Sequence, residues 1–121
     1  MDRQIRGRRN YETGMAAEDI VRRRYADAGY ELDQRRWRGV SGEIDLIFRR
    51  GAEVIFAEVK ASRDFARAAQ SLSGRQLARI SAAAQEYLAN TFGRCDVDCR
   101  IDLALVDAQG RSQILENVSM P

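Results

Sequence analysis

The chain has no histidine, and that absence removes more chemistry than any other feature of its 121 residues. Serine and cysteine nucleophiles activated by an imidazole are excluded. A tetrahedral zinc site is excluded too, because Cys95 and Cys99 are the only thiols. Acid–base chemistry is left to carboxylates, a lysine, a tyrosine or a metal. Two cysteines are also too few for a disulfide scaffold. At a spacing of four on a strand they would stand roughly 13 Å apart, beyond disulfide reach. Reduced thiols in a cytoplasmic protein are the expected state. Nowhere does the chain approach the roughly 18 consecutive apolar residues of a membrane span, and no hydrophobic stretch follows the arginine-rich start. A soluble protein with no membrane partner is expected.

Lysine is almost as scarce. Lys60 is the sole lysine among 20 basic residues, and the other nineteen are arginine. Arginine covers a surface as well as lysine does. It cannot replace a compact ammonium beside a reacting water, because guanidinium is planar, bulky and permanently charged. A lone lysine in Glu58-Val59-Lys60 therefore marks that tripeptide for chemistry.

What is present fits one domain. The hydrophobic content of 45% supports a single core. Residues 1–10, with Arg3, Arg6, Arg8 and Arg9, read as a basic flexible tail, solvated or in contact with phosphates, ahead of one domain over 11–121. Ala17, Val21, Tyr25 and Ala28 share a helical face between about Thr13 and Ala28. Glu18 lies at the edge of that face, turned toward the body of the protein or serving the helix dipole. Strands are expected near 30–38, 43–49 and 53–60, and a helix over 74–91 opened by the capping-box pattern Ser73-Gly-Arg-Gln76. Two strands near 100–106 and 111–118 follow. The fold class is α/β, a mixed β-sheet flanked by helices in the order α-β-β-β-α-β-β.

The strand pair carries the chemistry. A two-residue turn at Gly51-Ala52, of type II′, pairs 47 with 56, 45 with 58 and 43 with 60. Asp45 and Glu58 then oppose each other with β-carbons roughly 5 Å apart, and Glu43 comes opposite Lys60. Like charges so placed are destabilising, the more so among Ile44, Leu46, Val54 and Phe56. A shared proton, an arginine or a divalent cation would compensate, and hard carboxylate oxygens suit Mg²⁺ or Mn²⁺. Lys60 would sit beside that ion, orienting or deprotonating a water. Taken singly, each charge fits an ordinary ion-pair ladder. Taken together, with the sole lysine in phase, they point to a site.

Gly42-Glu-Ile-Asp-Leu-Ile47 followed by Phe56-Ala-Glu-Val-Lys60 resembles the signature of the restriction-endonuclease-like PD-(D/E)xK nucleases. More narrowly, the chain is similar to the YraN-like family of uncharacterised bacterial proteins, distant relatives of archaeal Holliday-junction resolvases. The likeness runs from about Gly14 to Val106 and includes Gly14-Met-Ala-Ala-Glu18 and Arg100-Ile-Asp102. It implies a restriction-endonuclease-like fold and metal ligation by Glu18, Asp45, Glu58 and the Val59 carbonyl, with Lys60 positioning the water. It also implies a polar catalytic residue at the start of the second long helix, usually lysine, here Gln76. Gln76 reads equally as the capping partner of Ser73. The function expected is metal-dependent cleavage of DNA, structure-specific in the manner of a resolvase and then requiring a homodimer. The alternative is a nucleic-acid-binding module that keeps the fold without catalysis. Arg63, Arg67, Arg75 and Arg79, with Arg35, Arg36 and Arg38, are candidates for gripping phosphates.

Overall fold

The computed structural model describes residues 3–118, with side chains from Gly14 to Val118. Helix α1 (Arg3–Asp27) is followed by β1 (Glu31–Arg38), β2 (Glu43–Arg50) and β3 (Glu53–Ala61). Then come α2 (Phe65–Gln70), α3 (Gly74–Phe92), β4 (Cys99–Val106) and β5 (Ser112–Leu115). The expected α/β class and mixed sheet are present, with α2 as an addition. Asp64 caps α2, its side chain accepting the Arg67 amide at 2.8 Å, and Ala68 buries against Leu103 and Leu105. Helix α1 starts well before Thr13, since the only poor helix former between Arg3 and Thr13 is Gly7. The side chains of Arg3, Arg6, Arg8 and Arg9, where phosphate contacts were expected, lie outside the described residues.

The five strands lie in sequence order across one sheet. β1, β2 and β3 form an antiparallel meander, β3 and β4 run parallel, and β5 returns antiparallel to β4. Alternation along each strand sorts side chains to two faces. Leu46, Phe48, Ile55, Ala57 and Ala104 pack under Ala17, Val21 and Tyr25 of α1. Ile47, Val54, Phe56 and Ile101 pack under Ile80, Ala84, Tyr87 and Leu88 of α3. The apolar stripes expected on the two long helices are thus the core-facing stripes, except that Ala28 is exposed and Leu77 only half-buried. The sheet is sealed on both faces, which sets a high cost for any charge inside it.

The turn between β2 and β3 has the expected register, with Arg50 opposite Glu53 and Ile47 opposite Phe56. Gly51 has φ 59°, while Ala52 keeps a negative φ, the pattern of a II′ turn. The thiols depart from expectation. Only Cys99 begins a strand; Cys95 lies in the loop before it, and both are exposed at one cleft with Phe56 and Leu88.

Under α1 the core holds one fully buried charge, Asp102. Its carboxylate accepts from the Tyr25 hydroxyl at 2.7 Å, the Arg100 guanidinium at 2.9 Å and the Asn117 amide at 3.1 Å. Burial and the adjacent Asp102 push the Tyr25 hydroxyl far above its ordinary range, so it stays a donor. Arg100 also reaches Glu53 and Glu116, tying β3, β4 and the segment after β5 to α1. Removing the carboxylate leaves the buried Tyr25 hydroxyl and the Asn117 amide without their acceptor and takes from Arg100 its nearest partner. Asp102→Ala is expected to cost about 3–5 kcal/mol in urea denaturation. A loss below about 1 kcal/mol would show that the network contributes little.

Candidate functional site

The site forms where the sheet splits. β2 and β3 pair from Arg50–Glu53 down to Leu46–Ala57, and there their pairing stops. β2 continues with β1 alone, through Ile44 opposite Trp37 and Glu43 opposite Arg38. Asp45 lies just past the end of the β3 ladder, so it is not the ladder partner of Glu58, and in the β1 ladder it is skipped between Leu46–Arg35 and Ile44–Trp37. Arg36, at the matching place in β1, has φ 52°, a left-handed conformation uncommon outside glycine. The alternation slips at the same point. Leu46 faces α1, whereas Ile44 and Ile47 both face α3. Freed from the ladder, the Asp45 carboxylate accepts the Val59 amide at 2.9 Å.

Glu58 sits at this fork, only 7% exposed. Burial first, and then the charge of Asp45 and hydrogen bonding with it, push its carboxyl up to about 8 against the opposing pull of Lys60. The Lys60 ammonium is 3.7 Å from the Glu58 Oε1, on the same strand. The expected partner, Glu43, is not the one it meets. β2 leaves β3 one residue before Asp45, and this carries Glu43 away to Arg38, at 3.4 Å.

Gln76 makes one contact at each end. Its amide N–H is capped by Ser73 Oγ at 3.0 Å. Its side chain, which a full capping box would return to Ser73, instead donates to Glu58 Oε1 at 3.3 Å. A cleft of about 240 Å³ opens here, lined by Gly42, Glu43, Asp45, Glu58, Gln76, Arg79 and Ile80.

Glu18 stands apart from this group. It is buried, and its carboxylate is taken by Arg35 at 3.2 Å and Arg36 at 3.5 Å. Among the described residues no three His, Cys, Asp or Glu side chains are placed to hold a metal together. The Asp45–Glu58 pair by itself suits a hard divalent cation. The buried Glu58 and half-buried Asp45 bring hard carboxylate oxygens together at the fork, and the charge of Asp45 adds to burial in raising the proton affinity of Glu58.

Of the candidate phosphate contacts, Arg79 lines the cleft. Arg67 lies 3.9 Å from Asp64 beside the α2 cap, and Arg63 and Arg75 are exposed outside the cleft lining. Arg35 and Arg36, candidates for phosphate contact in the sequence, pair with Glu18, and Arg38 pairs with Glu43. The sequence reading missed a further contact: Glu86 of α3 accepts the Val40 and Ser41 amides at 2.9 and 2.8 Å. Periodicity carries no signal for this contact, since a glutamate on the polar face of a helix reads as a solvated charge.

Over residues 17–106 the chain matches the uncharacterised protein family UPF0102. It belongs to that family. Among its relatives, a UPF0102 protein of Ruegeria pomeroyi is 56% identical over 112 residues, 93% of this chain and 91% of that one. One of Cereibacter sphaeroides is 53% identical over 111 residues, 92% of this chain and 95% of its own. One of Dinoroseobacter shibae is 45% identical over 118 residues, 98% and 88% respectively. This agrees with the resemblance to the YraN-like family. The family match spans Glu18, Asp45, Glu58, Lys60 and Gln76 in a single stretch.

Folded Glu58 keeps its proton up to about pH 8, whereas the unfolded chain releases it near the ordinary value of 4.5. Its stabilising contribution is complete below the lower value and is lost as pH rises toward the higher one. Urea denaturation should therefore show stability falling across that window, by at most about 1.4 kcal/mol per pH unit. Glu58→Gln should flatten the dependence. An equal slope in the variant would place the titration elsewhere.

Proposed function

We propose that the chain is a metal-dependent endonuclease hydrolysing DNA phosphodiester bonds in the cytoplasm. The observation that carries this reading is the Asp45–Glu58 pair at the fork of β2 and β3, Glu58 buried and Asp45 half-buried, with the Lys60 ammonium and the Gln76 amide both on Glu58. Asp45 and Glu58, with Glu18 and the Val59 carbonyl, are the groups that would hold Mg²⁺ or Mn²⁺. Bound there, the cation would act as Lewis acid toward the phosphate and lower the pKa of the attacking water. Lys60 and Gln76 would orient that water, and the ammonium would offset charge developing on phosphorus oxygens. Arg79, at the cleft wall, would meet the phosphate entering beside Gln76. Recognition would rest on backbone and shape, since no base-reading motif is present. A resolvase-like action on branched DNA would use two copies of the chain as a homodimer.

A second reading has its own support. Glu18 is neutralised by Arg35 and Arg36, and the described residues hold no assembled trio of ligands. A chain that retained this arrangement would bind nucleic acid without cutting it.

Plasmid, flap and four-way-junction DNA incubated with Mg²⁺ or Mn²⁺ separate the two. Cleavage is expected, reduced about a hundredfold or more by Asp45→Asn and by Lys60→Ala. Cleavage that persists in both variants would place the chemistry elsewhere. Salt-sensitive binding with no cleavage on any substrate favours the second reading. Calorimetry with Mn²⁺ should give heat that Glu58→Gln abolishes.

A further inference from the structure

Met15 and Glu18 stand one turn apart on the same side of α1, and the two arginines that hold Glu18 hold Met15 as well. The Arg35 Nε lies 3.2 Å from one oxygen of the Glu18 carboxylate, and the Arg36 Nε lies 3.5 Å from the other. From each guanidinium an Nη2 then turns onto the Met15 sulfur, both within 3.0 Å of it. Each arginine therefore bridges a strong anchor and a weak one. A carboxylate accepts charge-assisted hydrogen bonds, whereas a thioether sulfur is a weak acceptor.

The weak anchor is the one that chemistry can change. Met15 is half-buried between exposed Gly14 and Ala16, so a small oxidant reaches its sulfur from solvent. Oxidation to the sulfoxide normally harms a packed site, because it sets a polar oxygen among apolar neighbours. Here the neighbours are donors. The oxygen would be added to a sulfur that already faces two guanidiniums, whose partly exposed side chains have room to draw back and receive it.

We infer that Met15 is a site of reversible oxidation by a peroxide, and that its sulfoxide fastens Arg35 and Arg36 more firmly over Glu18. In the forward step a sulfur lone pair attacks one oxygen of hydrogen peroxide. The S–O bond forms, the O–O bond breaks, and the second oxygen leaves as water, taking the proton of the first. Sulfur loses two electrons and the peroxide gains them. A dithiol reductant reverses the step: the sulfoxide oxygen leaves as water, and the dithiol becomes a disulfide. The inference concerns how firmly Glu18 is held and does not rest on the nuclease reading. Under that reading, the sulfoxide is the state in which Glu18 is least free to join Asp45 and Glu58.

The test needs neither nucleic acid nor metal. Hydrogen peroxide is added to the folded chain with free methionine as standard, and peptide mass spectrometry follows Met15 separately from Met1 and Met120. Met15 is expected to gain one oxygen at a rate within about tenfold of the standard, and to lose it to a methionine sulfoxide reductase. Urea denaturation of the oxidised chain should show a midpoint raised by about 0.5 M, read against Met15→Leu treated in the same way. That variant keeps Met1, Met120, Cys95 and Cys99, so it carries every other change the peroxide makes. Met15→Gln brings an amide oxygen to the same donors and should exceed Met15→Leu with no oxidant present. Adding Arg35→Ala to both should shrink that gain. Leu and Gln are both strong helix formers, so neither substitution threatens α1. A Met15 that reacts more than about tenfold below the standard overturns the inference. So does a midpoint that fails to rise on oxidation, or a Met15→Gln gain that Arg35→Ala leaves unchanged.

Discussion

One hydrogen bond shapes the candidate site: the Val59 amide donating to the Asp45 carboxylate at 2.9 Å. A sheet whose faces are both sealed has no place for a strand to leave its neighbour, because the backbone groups it abandons would be buried without partners. Asp45 supplies the missing acceptor from a side chain. β2 can then turn away from β3 toward β1 while Val59 remains satisfied. The opening created is the cleft, and its floor is the strand that carries Glu58 and Lys60. A residue that looks like a ligand is thus also a structural substitute for the ladder it interrupts.

The same substitution sets the electrostatics. An aspartate acting as acceptor must keep an oxygen toward β3, close to Glu58. Burial and that neighbour together hold Glu58 toward its neutral form, and Gln76 and Lys60 approach from the opposite side. Among the described residues a second cluster has cations in excess, Glu18 of α1 meeting both Arg35 and Arg36. The kink at Arg36 lets two consecutive arginines reach one carboxylate, which a regular strand would send to opposite faces. Assembly of Glu18 with the Asp45–Glu58 pair therefore requires those arginines to yield.

Much of this was legible in the chain. Alternation over 43–48 and 53–60 located both strands, and the Gly51-Ala52 turn fixed their register down to Leu46–Ala57. Asp45 beside Glu58 follows from that register. What did not follow was the end of the ladder one residue earlier, because nothing in periodicity tells whether an aspartate stands in a ladder or replaces part of it. Glu43 was assigned to Lys60 for that reason, and Arg38 takes it instead. The arginine clamp on Glu18 was hidden as well. It depends on a left-handed residue in a strand, which propensity gives no reason to expect at Arg36. Helix α2 is a six-residue element held by tertiary packing of Ala68, too short to announce itself by pattern.

The scarcity of lysine has a practical corollary once Lys60 is placed. Its ammonium is partly accessible, with 21% of the side chain exposed, at the edge of the fork. Every other basic side chain is a guanidinium, inert to acylating and reductive-alkylating reagents that modify amines. Apart from the α-amino group, Lys60 is the one amine such reagents can mark. The molecule carries a single side-chain amine, and it stands beside Glu58.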